Sequence, residues 1–534
     1  MDAPKFHFDD AMTWFEVVTS RAAEVMQYVP GSAIVGAEAE GPVLRVPWDQ
    51  HSAEVLAQLR IPHLPPMLRD YEFVGRKTPY PHQYRMAGTM STHRKFFCLA
   101  DMGTGKTLST LWAIDYLIKI GEVRQVLVLC PKSIVRTAWL SEVVESFPHL
   151  TATVLAHADP MVRRRKAQSL SHIHIANYNA VEICYDEMVG RYDLIVVDEA
   201  TAYKKYGTRR WKFLRPLVAE ALRCWMLTGT PSVQYPLDAY GQVKLMYQEA
   251  WDMTESRFKL MTMQQHSKYR WVPLDDAAET VHEAMQPAIV IHKRDVLTDL
   301  PPITFSTRQV ELSSEQKRFM KELRKTLVIE AKGTTVSAVH AAALRTKILQ
   351  IASGTVYDDN GAVMDIECKD RLSELINLCE QVRAQDDGRG PPAHKVMVVC
   401  AFTHTVERVQ RELNATGMKF GILHGGVSLK QREKILHSME TDRELDGVVV
   451  QPEVVSHGVT LVSCTTTVFY TPFDKAEVAL QVQNRMDRPG QKHPMQIIKL
   501  SGCPMEDLMY ERMDQRIDFH HEVVGQYSDF VQAL

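Results

Sequence analysis

The chain has 534 residues, of which 45% are hydrophobic and 24% charged, and its formal net charge is -3. This length predicts several domains, and the near-neutral charge excludes a protein coated with cations, so any contact with nucleic acid must come from local basic patches. The nine cysteines include no CxxC pair, which argues against a zinc module or a disulfide framework. Because the sequence has neither a signal peptide nor an apolar run of about 18 residues, we expect a soluble, cytoplasmic protein without membrane contact.

Residues 1–74 are predicted to form a small accessory domain of mixed α and β structure. Short strands are expected near residues 32–35 and 42–46, and a helix over 53–59, before a proline-rich break at 63–66. This region carries no chemical motif. It is therefore either a packing domain or a module that selects DNA or a protein partner.

A phosphate-binding loop is predicted between a short apolar strand, residues 96–99, and an amphipathic helix. In such a loop, backbone N–H groups and the positive end of the helix face the β- and γ-phosphates of ATP. Lys106 would reach these phosphates, and the Thr107 hydroxyl would bind Mg²⁺. The strict pattern has glycine where this chain has Ala100, so the flanking strand and helix carry the prediction. The loop residues assigned to ATP are Gly103, Thr104, Gly105, Lys106 and Thr107.

Gln83 lies a short distance before this loop. Its side-chain amide carries both a donor and an acceptor, which is the combination that pairs with an adenine edge. A lone glutamine is usually a solvated polar residue. The nearby Lys106 is what favours ATP binding as the interpretation of Gln83.

Further apolar runs alternate with helical segments downstream, at residues 126–130, 173–176, 194–197 and 225–227. This alternation predicts a parallel sheet with helices on both faces. Because the carboxyl ends of parallel strands meet at the same edge of a sheet, the polar residues that follow these strands should lie together.

Asp198 and Glu199 follow one of these strands directly. A carboxylate at a strand end can hold Mg²⁺, and the adjacent carboxylate can orient and deprotonate the water that attacks the γ-phosphate. In isolation, the pair would be explained equally well as an acidic helix N-terminus. Because a phosphate loop precedes them, we expect Asp198 to be the metal ligand and Glu199 the base.

Several ordered segments resemble a known family. Residues 101–107, 197–200 and 227–231 resemble motifs I, II and III of helicase superfamily two. Residues 293–296, followed by Leu-Pro-Pro at 300–302, resemble the Swi/Snf-type DNA translocases in particular.

The resemblance covers about residues 75–510 and implies two RecA-like α/β lobes, each built on a parallel sheet with helical insertions. Lobe 1 is expected over 75–290 and lobe 2 over 368–510, with an inter-lobe segment and helical insertion over 291–367 and a C-terminal helix over 511–534. ATP would bind between the lobes, and its hydrolysis would be coupled to their closure.

The second lobe carries the remaining motifs. Those resembling family elements lie at 401–403 (motif IV), 424–428 with Arg432, 456–461 (motif V) and 481–491 (motif VI). The resemblance adds Gly458 and Gln481 to the expected ATP-binding residues.

Arg485 and Arg488 occupy the two arginine positions of motif VI. A planar, permanently charged guanidinium suits the charge that develops on the transferred phosphoryl group. The spacing of three predicts that both arginines lie on one face of a helix.

Contacts with the DNA backbone are expected from the motifs that face DNA in the family. The residues so implicated are Lys132, Ser133, Asn177, Thr230, Phe402, Thr403 and Ser456. Two basic stretches, 163–166 and 204–212, either extend this track or are solvated helix faces. Lys204 and Lys205 of the second stretch are counted among the expected contacts because they closely follow Glu199.

The inter-lobe segment is expected to contain long helices over 314–331 and 336–351, whose apolar stripes form core, and a hairpin with Asp359, Asn360 and Gly361 in its turn. A polar linker over 385–392 would then lead into lobe 2.

The chain departs from the family pattern at Thr201, where histidine is common, and at Asn484 and Asp487 of motif VI. Thr201 leaves open how the ATPase and DNA sites communicate. The sequence contains no recognisable histone-tail reader. This favours a compact motor of the phage or bacterial type, or one similar to the annealing helicases, over a nucleosome remodeller.

The resemblance therefore implies an ATP- and Mg²⁺-dependent translocase on double-stranded or branched DNA, which would serve replication or recombination proteins in the cytoplasm, or in the host cytoplasm for a phage protein. The alternatives are a strand-separating DNA or RNA helicase of the same superfamily and a nucleotide-binding scaffold without turnover. The presence of Lys106, Glu199 and Arg488 argues against the scaffold.

Overall fold

The structure is a computed structural model in which residues 6–9, 11–75, 77–232, 235–267, 270–333, 338–357, 362–455 and 460–532 are described. The chain divides into two units, Met1–Val296 with Phe519–Leu534, and Leu297–Asp518. The division expected from sequence is finer than this, and its further boundaries remain a prediction. Within the described ranges, none of the helices is both long and apolar enough to span a membrane.

The N-terminal region is a small antiparallel sheet covered by helices, as predicted. Its four strands pair in the order β1-β2-β4-β3, and a core that includes Phe15, Leu44 and Leu56 lies between the sheet and the helices. The elements are β1 (His7–Phe8), β2 (Trp14–Val18), α1 (Ala22–Tyr28), β3 (Ala33–Glu38), β4 (Gly41–Pro47), α2 (Gln50–Gln58) and α3 (Met67–Asp70). The two strands and the helix expected from sequence are β3, β4 and α2.

Lobe 1 is a seven-stranded sheet in the order β13-β5-β10-β9-β6-β8-β7, with every strand parallel to its neighbours. The strands are buried on both faces because helices cover each side, which is why they are continuous apolar runs in the sequence. The elements are α4 (Pro81–Thr92), β5 (Lys95–Ala100), α5 (Lys106–Lys119), β6 (Val126–Cys130), a π-helix (Val135–Leu140), α6 (Ser141–Ser146), β7 (Ala152–Val154), α7 (Pro160–Ala167), β8 (Ile173–Asn177), α8 (Ala180–Ile183), α9 (Tyr185–Met188), β9 (Leu194–Asp198), a 3₁₀ helix (Ala200–Tyr203), α10 (Arg209–Glu220), β10 (Arg223–Thr228), α11 (Asp238–Tyr247), a second 3₁₀ helix (Gln248–Ala250), α12 (Glu255–Thr262), β11 (Met263–Ser267), β12 (Arg270–Pro273), α13 (Ala277–Ala284), β13 (Ala288–Ile291) and α14 (Lys293–Val296).

A buried ion pair joins the N-terminal region to lobe 1. Glu54 of α2 contacts Arg223 at the start of β10, and the two residues are only 4% and 2% exposed. Glu54 also accepts hydrogen bonds from Arg94 at 3.0 Å and from Gln50 at 2.8 Å, and Gln50 donates to the carbonyl of Ser91 at 2.8 Å. The N-terminal region is therefore attached to lobe 1 through charge as well as packing.

Glu54→Gln is expected to lower the free energy of unfolding by about 3 kcal/mol, because it leaves the Arg223 guanidinium buried without its main counter-charge. Urea denaturation followed by tryptophan fluorescence measures this change. Adding Arg223→Met should recover most of the loss, since the charge that lacks a partner is then removed. Glu24→Gln is the matched control, because it breaks the exposed Arg21–Glu24 ion pair and should change little. Equal effects of Glu24→Gln and Glu54→Gln would contradict the prediction.

Lobe 2 is a six-stranded parallel sheet in the order β14-β21-β20-β17-β19-β18. The elements are β14 (Ile303–Gln309), α15 (Ser314–Gly333), α16 (Ala338–Ser353), β15 (Thr355–Tyr357), β16 (Val363–Asp365), α17 (Lys369–Arg383), β17 (Lys395–Val399), α18 (Thr403–Ala415), β18 (Phe420–Leu423), α19 (Leu429–Thr441), β19 (Gly447–Val450), α20 (Pro452–Val455), β20 (Cys464–Phe469), α21 (Ala476–Gln483), β21 (Met495–Ser501) and α22 (Pro504–Gln532). The predicted architecture, two parallel-sheet lobes with helical insertions, is confirmed.

Most of the insertion before lobe 2 matches its prediction. The two long helices lie within two residues of their expected bounds, and Met320 and Leu323 pack against a core of Ile351, Val356 and Ile366. Strands β15 and β16 pair antiparallel, as the hairpin prediction requires, although its turn at 359–361 lies outside the described residues. The C-terminal helix α22 begins at Pro504, earlier than the expected residue 511.

Candidate functional site

The predicted phosphate loop connects β5 to α5 by two left-handed glycines. Gly103 and Gly105 have φ of 87° and 85°, a region that favours glycine. A Cβ atom on Gly105 would collide with the side-chain amide of Gln83, so the loop is closed against α4 at this point. Helix α5 begins at Lys106, immediately after the second glycine, and its positive end faces the loop.

Lys106 bends back over the loop that precedes it. Its Nζ donates to the carbonyl oxygens of Ala100 at 2.6 Å and Asp101 at 3.2 Å. The Asp101 carboxylate in turn accepts a hydrogen bond from the backbone N–H of Lys293 at 2.9 Å, which attaches α14 to the loop. The Lys106 ammonium group is thus held beside the loop by two carbonyl oxygens. A bound phosphate would take the place of these two acceptors.

Two side chains of α4 contact the phosphate loop. The Gln83 amide accepts from the backbone N–H of Tyr80 at 3.0 Å and donates to the carbonyl of Thr104 at 3.3 Å. His82 contacts the same carbonyl at 2.9 Å, and burial lowers the pKa of its imidazole. Both ends of the Gln83 amide are therefore engaged within the protein, and its contact with adenine remains a prediction.

Asp198 ends β9 beside the loop and is buried, with 6% of its surface exposed. Oδ1 accepts a hydrogen bond from the backbone N–H of Glu199 at 3.1 Å, and Oδ2 accepts one from the indole N–H of Trp139 at 2.8 Å. Burial and the charge of Glu199 raise the pKa of the Asp198 carboxyl, whereas Lys106 and the two hydrogen bonds lower it. The charge of Lys106 acts on Asp198, and β5 and β9 are parallel strands of one sheet, so the loop and the strand end lie at the same sheet edge. Their joint role in binding nucleotide remains a prediction.

Glu199 has a left-handed backbone, with φ of 53°, and the 3₁₀ helix begins at the next residue. Such a conformation costs energy for a non-glycine residue and is found preferentially at functional sites. The Tyr178 hydroxyl supports this turn by donating to the carbonyl of Asp198 at 2.6 Å. Burial raises the pKa of that hydroxyl well above its usual value, so it remains a donor.

The donor set fits Mg²⁺ bound to a nucleotide. Thr107 supplies a hydroxyl and Asp198 a carboxylate, which are the hard oxygen ligands that Mg²⁺ prefers. The buried Asp198 carboxylate lies beside the Glu199 carboxylate, and the Lys106 ammonium group opposes the negative charge of Asp198. A divalent cation would add positive charge beside these carboxylates and neutralise the phosphate oxygens.

Thr230 follows β10 and differs from the other expected DNA contacts. Its backbone N–H donates to the Thr228 hydroxyl at 3.0 Å, and the residue is only 1% exposed. Gly229 passes so close to the phosphate loop that an added Cβ would lie 3.1 Å from the Ala100 carbonyl oxygen. Thr230 is therefore buried beside the phosphate loop in this structure, and its contact with DNA remains a prediction.

Of the other expected DNA contacts in lobe 1, Lys132 and Ser133 are exposed after β6, and Asn177, the last residue of β8, is half-buried. Lys205 is exposed, whereas Lys204 forms an ion pair with Asp238 at 3.2 Å. The DNA contacts expected of these five residues remain predictions.

The basic stretch 163–166 is engaged with its own lobe. Arg164 lies 3.8 Å from Asp186 and 3.6 Å from Glu187, and Lys166 donates to the carbonyls of Val154 and Ala156. These contacts favour the interpretation of this stretch as a helix face of the lobe rather than a DNA track.

Motif VI in lobe 2 does not have the expected helical form. Helix α21 ends at Gln483, so Arg485 and Arg488 lie in the turn that follows, and the prediction of a shared helix face is wrong. The side-chain amide of Asn484 donates to the Leu480 carbonyl at 2.9 Å, and a side chain that competes for backbone partners in this way favours a helix end.

The two arginines consequently have different environments. Arg485 is 2% exposed, and its Nε donates to the backbone carbonyl of Gln481 at 2.8 Å. Arg488 is half-buried, and its Nη1 donates to the Thr460 hydroxyl at 2.7 Å. The Gln481 side chain is 1% exposed, and its amide has no hydrogen-bond partner in the described part of the chain. Arg488 is therefore the more accessible of the two guanidinium groups.

Gln491, at the end of motif VI, holds this turn in place. Its amide nitrogen donates to the carbonyls of Val462 and Cys464, each at 3.0 Å, and its oxygen accepts from the backbone N–H groups of Lys492 and His493. This residue is buried and fully hydrogen-bonded, so its function is structural.

The remaining lobe 2 residues named from sequence lie near strand ends. Phe402 and Thr403 are half-buried at the start of α18, immediately after β17 and its connecting residues. Arg432 donates to the carbonyls of His424 and Val427 at 2.9 Å and so shapes the loop before α19. Ser456 and Gly458 lie outside the described residues, and their roles remain predictions.

Trp139 was not predicted from the sequence, whereas Tyr178 was expected at this sheet edge without an assigned role. Tyr178 follows a strand end directly, so the rule that such residues meet at one sheet edge was sufficient to find it. Trp139 contacts a residue 59 positions away, and no local pattern indicates such a contact.

Comparison with known proteins gives matches over most of the chain. Residues 89–364 match the family model of the SNF2-related domain, and residues 373–490 match that of the helicase conserved C-terminal domain. The chain is 27% identical to protein p41 of Acyrthosiphon pisum secondary endosymbiont phage 1, over 53% of this chain and 65% of the relative.

It is also 21% identical to the SWI/SNF-related matrix-associated actin-dependent regulator of chromatin subfamily A-like protein 1 of Xenopus tropicalis, over 80% of this chain and 42% of the relative. The chain thus spans less than two thirds of the length of these relatives. Among solved structures, the Sulfolobus solfataricus SWI2/SNF2 ATPase core in complex with dsDNA aligns with 20% identity and a TM-score of 0.40, over 86% of this chain and 96% of that chain.

Proposed function

The chain belongs to the SNF2-related family, and from this premise we propose that it is a DNA-dependent ATPase that hydrolyses ATP to ADP and phosphate while moving along double-stranded DNA. The observation that carries the proposal is the single sheet edge in lobe 1 where Lys106 lies beside the buried Asp198 and the strained Glu199. A scaffold that only binds nucleotide does not require the hydrolytic carboxylate.

Each residue of this edge has a chemical task in the proposal. The amides of the loop and the Lys106 ammonium bind the β- and γ-phosphates. Thr107 and Asp198 hold Mg²⁺, which neutralises charge on the phosphate oxygens. Glu199 orients the attacking water and accepts its proton. Arg488 belongs to lobe 2 rather than to this edge, and we propose that its guanidinium meets the negative charge that develops on the γ-phosphoryl group.

The proposed DNA contacts are to the backbone, because a motor that moves along DNA must bind every sequence alike. Lys132 and Ser133 in lobe 1 support this, since both are exposed on the loop after β6. Phe402 and Thr403 are proposed to make the equivalent contacts in lobe 2. Branched DNA, such as a replication fork, is the finer substrate that we propose, and recombination or replication proteins are the proposed partners.

The decisive measurement is the ATPase rate with no nucleic acid, single-stranded DNA, duplex DNA and RNA in parallel. We expect the largest stimulation with duplex or forked DNA, and triplex displacement without unwinding of a plain duplex. Lys106→Ala should lack turnover in every arm and serves as the background. Stimulation by RNA alone, or unwinding of the duplex, would replace the translocase with a strand-separating helicase.

A further inference from the structure

Trp139 connects two parts of lobe 1 that the proposed function treats separately. It is fully buried, and its indole N–H donates to Oδ2 of Asp198 at 2.8 Å. The same residue lies in the π-helix Val135–Leu140, which directly follows the loop that carries Lys132 and Ser133. Trp139 lies seven residues after the exposed Lys132 and contacts the carboxylate that is proposed to bind Mg²⁺.

The contact fixes the orientation of the carboxylate. Asp198 accepts one hydrogen bond on each oxygen, from the Glu199 backbone and from Trp139, which leaves a lone pair on each oxygen for a metal ion or its water. Residues that orient a metal ligand in this way typically contribute 10- to 100-fold to metal affinity or activity. An indole is suited to this task because it only donates and cannot compete with Asp198 for the cation.

The π-helix gives the connection a way to respond to DNA. A π-turn contains one residue more than an α-turn, and such segments are rare and are found mostly at functional sites. The Thr137 hydroxyl donates to the Ser133 carbonyl at 2.9 Å, so the first turn is attached to the exposed loop. A movement of that loop would shift the turn and rotate Trp139 relative to Asp198.

We infer that Trp139 is a positioning residue that couples DNA contact at Lys132 and Ser133 to Mg²⁺ binding at Asp198. The inference rests on the proposed function, because it takes Asp198 as the metal ligand and the loop as a DNA contact. It also supplies a route between the two sites in a chain whose motif II has Thr201 in place of the common histidine.

The first part of the inference is that Trp139 positions Asp198 for Mg²⁺. Equilibrium binding of a fluorescent ATP analogue to the Trp139→Phe chain tests it. Phenylalanine keeps an aromatic ring but removes the N–H donor. Affinity in EDTA should match the unsubstituted chain, whereas affinity in Mg²⁺ should fall by about tenfold. A residue needed only for packing would weaken both. If Trp139→Phe unfolds the lobe, β-(3-benzothienyl)alanine at position 139 replaces the N–H by sulfur at nearly constant ring volume.

The second part of the inference is that DNA contact is coupled to Mg²⁺-nucleotide binding, and thermodynamic linkage tests it. If Mg²⁺-nucleotide changes the affinity for duplex DNA, then DNA must change the affinity for Mg²⁺-nucleotide by the same factor. In the Trp139→Phe chain this factor should fall close to one. Trp225→Phe is the matched control, since it removes a buried indole donor that bonds to the His93 carbonyl at 2.9 Å in the same lobe.

Unchanged Mg²⁺ affinity in Trp139→Phe, or an unchanged coupling factor, would overturn the inference. Failure of the proposed function has a different signature, because the unsubstituted chain would then show neither DNA-stimulated turnover nor DNA binding. In that case the proposed coupling to DNA is refuted. The comparison of nucleotide affinity in EDTA and in Mg²⁺ still decides whether Trp139 positions Asp198.

Discussion

Replacing Arg488 by alanine should reduce DNA-stimulated ATP hydrolysis by about 10³-fold or more while lobe 2 stays folded. A guanidinium that meets the charge of the transferred phosphoryl group contributes about 10³- to 10⁵-fold to turnover in related chemistry. Arg488 is half-buried, and its side chain donates to the Thr460 hydroxyl at 2.7 Å and to the Asn484 carbonyl at 3.2 Å. Thermal unfolding of the variant checks that lobe 2 remains folded. Steady-state turnover with saturating duplex DNA measures the effect.

Two further variants make the result specific. Arg488→Lys keeps the positive charge but not the planar fork, and it should not restore turnover. Arg389→Ala removes an exposed arginine from the same lobe and should leave turnover unchanged. Arg485→Ala is expected to differ from Arg488→Ala by lowering the thermal stability of lobe 2, because Arg485 is 2% exposed and bonds to the Gln481 carbonyl. Full activity of Arg488→Ala would show that the assignment to the phosphoryl group is wrong.

Glu199→Gln should retain ATP and Mg²⁺ binding but lose about 10³-fold in the hydrolysis step, within the range of a general base. Glutamine has nearly the same shape and keeps the backbone N–H that donates to Asp198 at 3.1 Å. The hydrogen bond to the proposed metal ligand is therefore kept. The negative charge of residue 199, which raises the pKa of Asp198, is removed together with its ability to accept a proton. Single-turnover hydrolysis, measured beside equilibrium nucleotide binding, separates the two steps.

Glu182→Gln is the matched control, because Glu182 pairs with Arg209 on the outside of the same lobe. It should affect neither binding nor hydrolysis. A wild-type single-turnover rate in Glu199→Gln would assign the base to another group. Loss of nucleotide binding would instead mean that Glu199 acts through the metal site.

The elements of lobe 1 were predictable because their physical causes are local. Strands such as Val126–Cys130 and Leu194–Asp198 are continuous apolar runs, since helices bury both faces of a parallel sheet. The polar residues after them collect at one edge by topology alone, and this rule predicts that Lys106 and Asp198 lie at the same edge.

Other features depend on distant parts of the chain. β20 is a central strand of lobe 2 although it contains three consecutive threonines, Thr465, Thr466 and Thr467, each at most 2% exposed. Such a polar run is not recognised as a buried strand from its sequence, because burial is decided by the neighbouring strands. The end of α21 before Arg485 was missed for a related reason. The hydrogen bonds that stabilise the turn come from Gln491 and from carbonyls almost thirty residues earlier.

The buried pair of Glu54 and Arg223 has a consequence for how this protein can change over generations. The two positions are separated by 169 residues, yet each buried charge has the other as its main partner, with Arg94 beside Glu54 and Glu122 beside Arg223 as additional partners. A shortened descendant that lost the N-terminal region would have to replace Arg223 at the same time, or pass through an unstable intermediate. We therefore expect changes at position 54 of the N-terminal region and position 223 of lobe 1 to occur together.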